Sequence, residues 1–154
     1  MKYLFFAMLL LFTYKASLSQ VQQNVVGRWR AFSVQTDRVY VNLRNDSVSV
    51  IGRKYTNGYD SLQVKQESAE ISSAFSNFLF EFDSNGNYTF SAFGVNDEGR
   101  YSVNIEDGII IVKSKDSPLD NPGERTKYSI GENILTLNMG QGNAIVNVNF
   151  ERLK

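Results

Sequence analysis

The chain has 154 residues, enough for one domain built around a single core. Its 16 basic residues are matched by 16 acidic ones and scattered among them, which argues against a nucleic-acid partner. His and Cys are both absent, removing the commonest general base, the commonest metal ligand, the commonest activated nucleophile and any disulfide.

Residues 1–19 read as a cleaved signal peptide: Lys2 is a short positive start, residues 3–12 are an unbroken apolar run, and Ser17-Leu18-Ser19 supplies small residues before Gln20. The run is well short of the roughly 20 residues needed to span a bilayer, so no membrane anchor is expected after processing. Cleavage removes Lys2 and Lys15 but no acid. Residues 20–154 then form one slightly acidic domain, expected outside the cytoplasm, periplasmic or secreted, and monomeric.

After a polar lead at 20–24 the first strand begins in Val25-Val26-Gly27-Arg28-Trp29 and continues to about Val34. Val39 and Val41 alternate with Tyr40 and Asn42, Arg44-Asn45-Asp46 makes a turn, and 47–51 alternate again, predicting a hairpin. A second turn is expected at 56–59, followed by a short strand through Leu62 and Val64. From Gln66 the period lengthens: Ile71, Ala74, Phe75 and Phe78 recur at helical intervals, with Glu67 and Glu70 near the start. This predicts a helix over 66–77, capping a barrel mouth or packing on its wall.

The stretch 78–93 organises the rest. Phe78, Phe80 and Phe82 share one strand face, as do Tyr88, Phe90 and Ala92, and Asn85-Gly86 lies between them. That pattern predicts a type I′ hairpin, with the aromatic face buried and Glu81 in water. A strand over 99–105 places Tyr101, Val103 and Ile105 together, Glu106-Asp107-Gly108 turns the chain, and the apolar run 109–112 is expected to be covered on both faces. Residues 116–124, with two prolines, form the longest polar loop. Strands around 125–130, 134–139 and 144–152 close the chain. The fold class is all-β: an antiparallel up-and-down barrel of about eight to ten strands with one short helix, a two-sheet sandwich being the alternative.

Features that could carry chemistry have plainer explanations. Asp97-Glu98 and Glu106-Asp107 are adjacent carboxylates at predicted turns, where acids serve solvation and local hydrogen bonding. The oxygen-rich Asp83-Ser84-Asn85-Gly86-Asn87 lacks the sixth-position Gly and distal Glu of a calcium loop. Gly140-Gln141-Gly142 is a hairpin loop rather than a dinucleotide fingerprint. No enzyme activity, cofactor or metal is expected.

A Gly-x-Trp opening, Gly27-Arg28-Trp29, and a final strand ending in Arg152 together resemble the short bacterial secreted lipocalin-like domains. Phe80 to Tyr88, Gly99 to Tyr101, Tyr128 to Ile130 and Leu135 to Leu137 follow the same order of motifs. The aspartate turn of larger lipocalins is not evident. The resemblance implies a barrel in which Gly27, Trp29 and Arg152 form a structural closure. Two functions are open. In one, an interior lined by Tyr40, Phe75, Phe78, Phe80, Phe82, Tyr88, Phe90 and Tyr101 binds a small hydrophobic or amphipathic ligand. In the other, the core is filled and the molecule is an envelope or surface domain that meets a protein partner.

Overall fold

The structure, a computed structural model, describes residues 25–51, 61–92, 94–140 and 144–154. The expected signal peptide and the turn at 56–59 lie outside the described residues. Ten strands and one helix are present among those described: β1 (Gly27–Thr36), β2 (Val39–Asn42), β3 (Ser47–Val50), α1 (Ser61–Phe75), β4 (Leu79–Phe82), β5 (Asn87–Ala92), β6 (Val95–Asn104), β7 (Ile109–Ser114), β8 (Glu124–Gly131), β9 (Ile134–Asn138) and β10 (Val146–Leu153). All pair antiparallel, and β10 returns to β1, closing an eight-stranded barrel with β2 and β3 as an added hairpin.

Strand β1 is the seam. One edge pairs with β10 from Arg28↔Leu153 to Thr36↔Val146. The other edge is shared: Gly27 to Arg30 pair with β4, and Ser33 to Gln35 pair with β2. The handover comes at a bulge between Ala31 and Ser33, where the Ala31 N–H donates to the Phe78 carbonyl and the Phe32 carbonyl accepts from Leu43. A bulge adds a residue and increases local twist, allowing one strand to change partners midway.

The Trp29 end is the base of the barrel and the Thr36 end its mouth. Trp29, Phe78, Phe82, Leu135, Val148 and Phe150 are fully buried in the core. The run 109–112 is covered less than expected. Ile110 is buried but its neighbours are half-buried, because the wall of a single-layer barrel leaves alternate residues facing outward.

The helix begins earlier than its apolar period predicts. Leu62 and Val64, expected in a strand, belong to α1, and its first turn carries no acid. It packs against β2 and β1, with Ile71 and Phe75 on the core.

The central hairpin forms in the expected register, Phe80↔Phe90 and Phe82↔Tyr88, with Glu81 exposed. Its turn is not type I′. Of the two central residues only Gly86 has positive φ, at 80°. The Gly86 N–H donates to the Asp83 carbonyl, and the Asp83 N–H to the Asn87 carbonyl. This is the longer turn with a glycine bulge. The Asp83 carboxylate accounts for the change: Oδ1 accepts the N–H groups of Asn85 and Asn87 at 2.8 Å each, and Oδ2 accepts from the Asn87 side chain at 2.7 Å. The oxygen-rich stretch is thus a self-satisfied Asx turn.

Candidate functional site

Much of the barrel interior is filled by aromatic rings. Phe78 lies 5.4 Å from Phe80, 5.1 Å from Phe90 and 5.3 Å from Phe150 between ring centroids, and Phe82 meets Tyr101 at 4.8 Å. Such separations are those of favourable aromatic pairs. On β1, Trp29, paired with Phe80 and fully buried, donates its indole N–H to the Val25 carbonyl at 2.7 Å. The Arg152 guanidinium lies 4.5 Å from the Trp29 ring centroid, and the two residues are directly paired across β1 and β10. Gly27 fits this corner by conformation rather than by smallness. Its φ is +139°, whereas an added Cβ would meet Arg152 at an ordinary 3.8 Å.

The mouth is different. A cavity of about 360 Å³ opens there, within the range of roughly 300–1,000 Å³ typical of small-molecule sites. Phe80, Phe90, Val112 and Met139 give it an apolar floor, while Asp97, Ser114 and Glu124 are polar groups on its wall. Residues of the 115–123 loop, Ser117 and Asn121, overhang it. Larger hollows of about 460, 530 and 750 Å³ have walls of exposed residues such as Thr89 and Glu98 on the strands or Glu70 and Ser73 on α1, so they are surface grooves rather than interior space. A further hollow of about 390 Å³ shares Phe90 and Asp97 with the mouth cavity and is lined also by the exposed Lys115 and Asp116.

Of the eight expected lining residues, Phe80, Tyr88 and Phe90 line this cavity. Phe82 and Tyr101 instead pack the base, while Phe78, which precedes β4 at its mouthward end, joins the ring cluster of Phe80, Phe90 and Phe150 and is reached from the helix by Phe75 at 5.5 Å. Tyr40 lies on the face of β2 opposite the buried Val39 and Val41, away from the interior. Phe150, Asp97, Ser114, Glu124 and Met139 were not foreseen. Asp97 was placed in a turn, yet β6 starts at Val95. Extending the alternation of Tyr101 back through Gly99 reaches Asp97, and that signal was available in the sequence.

Asp97 is the organising polar group. Its Oδ2 accepts from the Tyr88 hydroxyl at 2.5 Å and its Oδ1 from the Ser114 hydroxyl at 2.7 Å. Burial pushes its pKa upward, but hydrogen bonds from Tyr88, Ser114 and the Glu98 N–H, with the Lys115 charge, more than offset this and hold it below the usual carboxylate value. Tyr88 moves the opposite way. Burial first, then its bond to Asp97 and the charges of Asp97 and Glu124, raise its phenol well above the ordinary range, so it stays a neutral donor.

No protein-family model matches the chain, and no curated protein matches it either. Among solved structures it is similar to a crystal structure of a DUF4847 family protein from Bacteroides vulgatus ATCC 8482, at TM-score 0.50 and 14% identity, covering 83% of this chain and 93% of that one. At this identity the likeness is one of fold.

Proposed function

We propose that this chain is a non-enzymatic binding barrel of the lipocalin-like kind, acting outside the cytoplasm after signal-peptide cleavage and holding one small hydrophobic or amphipathic molecule at its mouth. The observation that carries the reading is a mouth cavity of about 360 Å³ floored by Phe80, Phe90, Val112 and Met139, beside a cluster of packed rings that fills the adjoining interior. Small barrels either fill with side chains or keep room for one ligand, and this one does each in a different part of its interior. Asp97 supports binding over catalysis. A carboxylate held below its usual pKa is a poor base for activating the Ser114 hydroxyl bonded to it.

Native mass spectrometry of protein gently extracted from its own host tests this reading. The expected result is a mature mass starting near Gln20 with a bound small molecule, lost in Val112→Trp, which fills the floor. Equal retention of the molecule by Val112→Trp would refute the mouth as the site. The second reading, a surface domain meeting a protein partner, rests on Leu119, 98% exposed on the 115–123 loop. It predicts that Leu119→Ser abolishes partner capture while leaving any bound small molecule in place.

A further inference from the structure

Among the described residues, the charged groups that line the mouth cavity are Asp97 and Glu124, both acidic. Lys115, whose charge reaches Asp97, is paired with Glu98 on the outer face of the barrel and does not line the cavity. The hydroxyls that bond Asp97 are neutral donors, so they leave its carboxylate charged. A carboxylate offers about four acceptor positions, which leaves Asp97 able to take a further N–H after Tyr88, Ser114 and the Glu98 N–H. Beneath the two acids lie the rings of Phe80 and Phe90 and the side chains of Val112 and Met139. Aromatic faces attract cations and repel anions.

We propose that the barrel selects a small amphipathic cation, an amine or quaternary ammonium with a short apolar body, its charged head between Asp97 and Glu124 and its body on the apolar floor. This deepens the binding-barrel reading and rests on it. An apolar floor alone would accept a fatty acid as readily as an amine. Asp97 on the half-buried wall and Glu124 at the exposed start of β8 reverse that indifference, since a third negative charge must approach both. The depressed pKa of Asp97 supports the assignment by keeping the charge in place down to acidic pH.

The test compares three probes of one chain length, octylammonium, octanol and octanoate, each below its micelle concentration, by calorimetric titration of the mature protein at neutral pH and low salt. The expected order is octylammonium tightest, then octanol, then octanoate, with the two charged probes at least about tenfold apart. Asp97→Asn with Glu124→Gln should bring the three affinities within about threefold of one another. Glu124→Gln alone, at an exposed position, should give a partial loss and guards against a folding defect in the double variant. Octanol binding with no preference for the amine, or with octanoate preferred, overturns the cation assignment and leaves the binding barrel standing. Failure of all three probes to bind overturns both.

Discussion

At the scale of single residues, Trp29 and Arg152 test how the barrel is held at its base. Trp29 is fully buried with its indole N–H satisfied by Val25, and Arg152 stacks on the ring from the partner strand. A cation–π contact in such a setting contributes about 0.5–2 kcal/mol. A double-mutant cycle on Trp29→Phe and Arg152→Met should therefore show coupling of that size, and additive losses would mean that the stacking adds nothing. Asp97 makes a prediction in pH. Its folded-state pKa lies below the ordinary 3.8, so it contributes stability that is complete above that value and is lost as pH falls through the folded-state value. Acid titrations followed by chemical denaturation should show a steeper loss below about pH 4 in the natural chain than in Asp97→Asn. Identical acid limbs would show that the carboxylate is bonded no better in the folded chain than in the unfolded one.

At the scale of elements, the hairpin β4–β5 separates its two faces cleanly. Phe82 is 1% exposed and touches Phe80 and Tyr101, so Phe82→Ala should cost about 3–5 kcal/mol in lost burial and cavity. Glu81 is exposed and its ion pair with Arg28, at 3.4 Å, is half in water, so Glu81→Gln should change stability by less than about 1 kcal/mol. Urea denaturation of both variants checks the pair of values. The face assignment was legible in the sequence because strict alternation leaves a strand only two ways to face, and burial of three phenylalanines selects one. The turn type was not, because the choice between two hairpin turns depended on where the Asp83 carboxylate sends its hydrogen bonds. The same limit hid the start of α1. Leu62 and Val64 alternate like a strand, and only packing of Ile71 and Phe75 on the core, with the chain they carry, makes that segment a helix. For the candidate site, the aromatics Phe80, Tyr88 and Phe90 were readable, while Glu124 and Ser114 needed the barrel to bring distant strands round to one rim.

At the scale of the whole molecule, protection should be uneven. Strand β1 has partners on both edges along its length, whereas β3 has a neighbour on one edge only among the described residues and exposes Val48 and Val50. Amide hydrogen exchange should be slowest in β1 and β10 and fastest in β3, and equal rates in the two would mean that the seam opens as readily as the edge. The closing ladder also has a mechanical direction. Because β1 and β10 are antiparallel with Arg28 beside Leu153, tension applied at Gly27 and Leu153 loads their pairs one at a time, as a zipper is opened, instead of shearing them all together. The first pair to part is Arg28 with Leu153 and the next is Trp29 with Arg152. The stacked guanidinium therefore sits where an opening force concentrates, acting as the catch of the zipper, while the pairs nearer the mouth are reached only after it has given way.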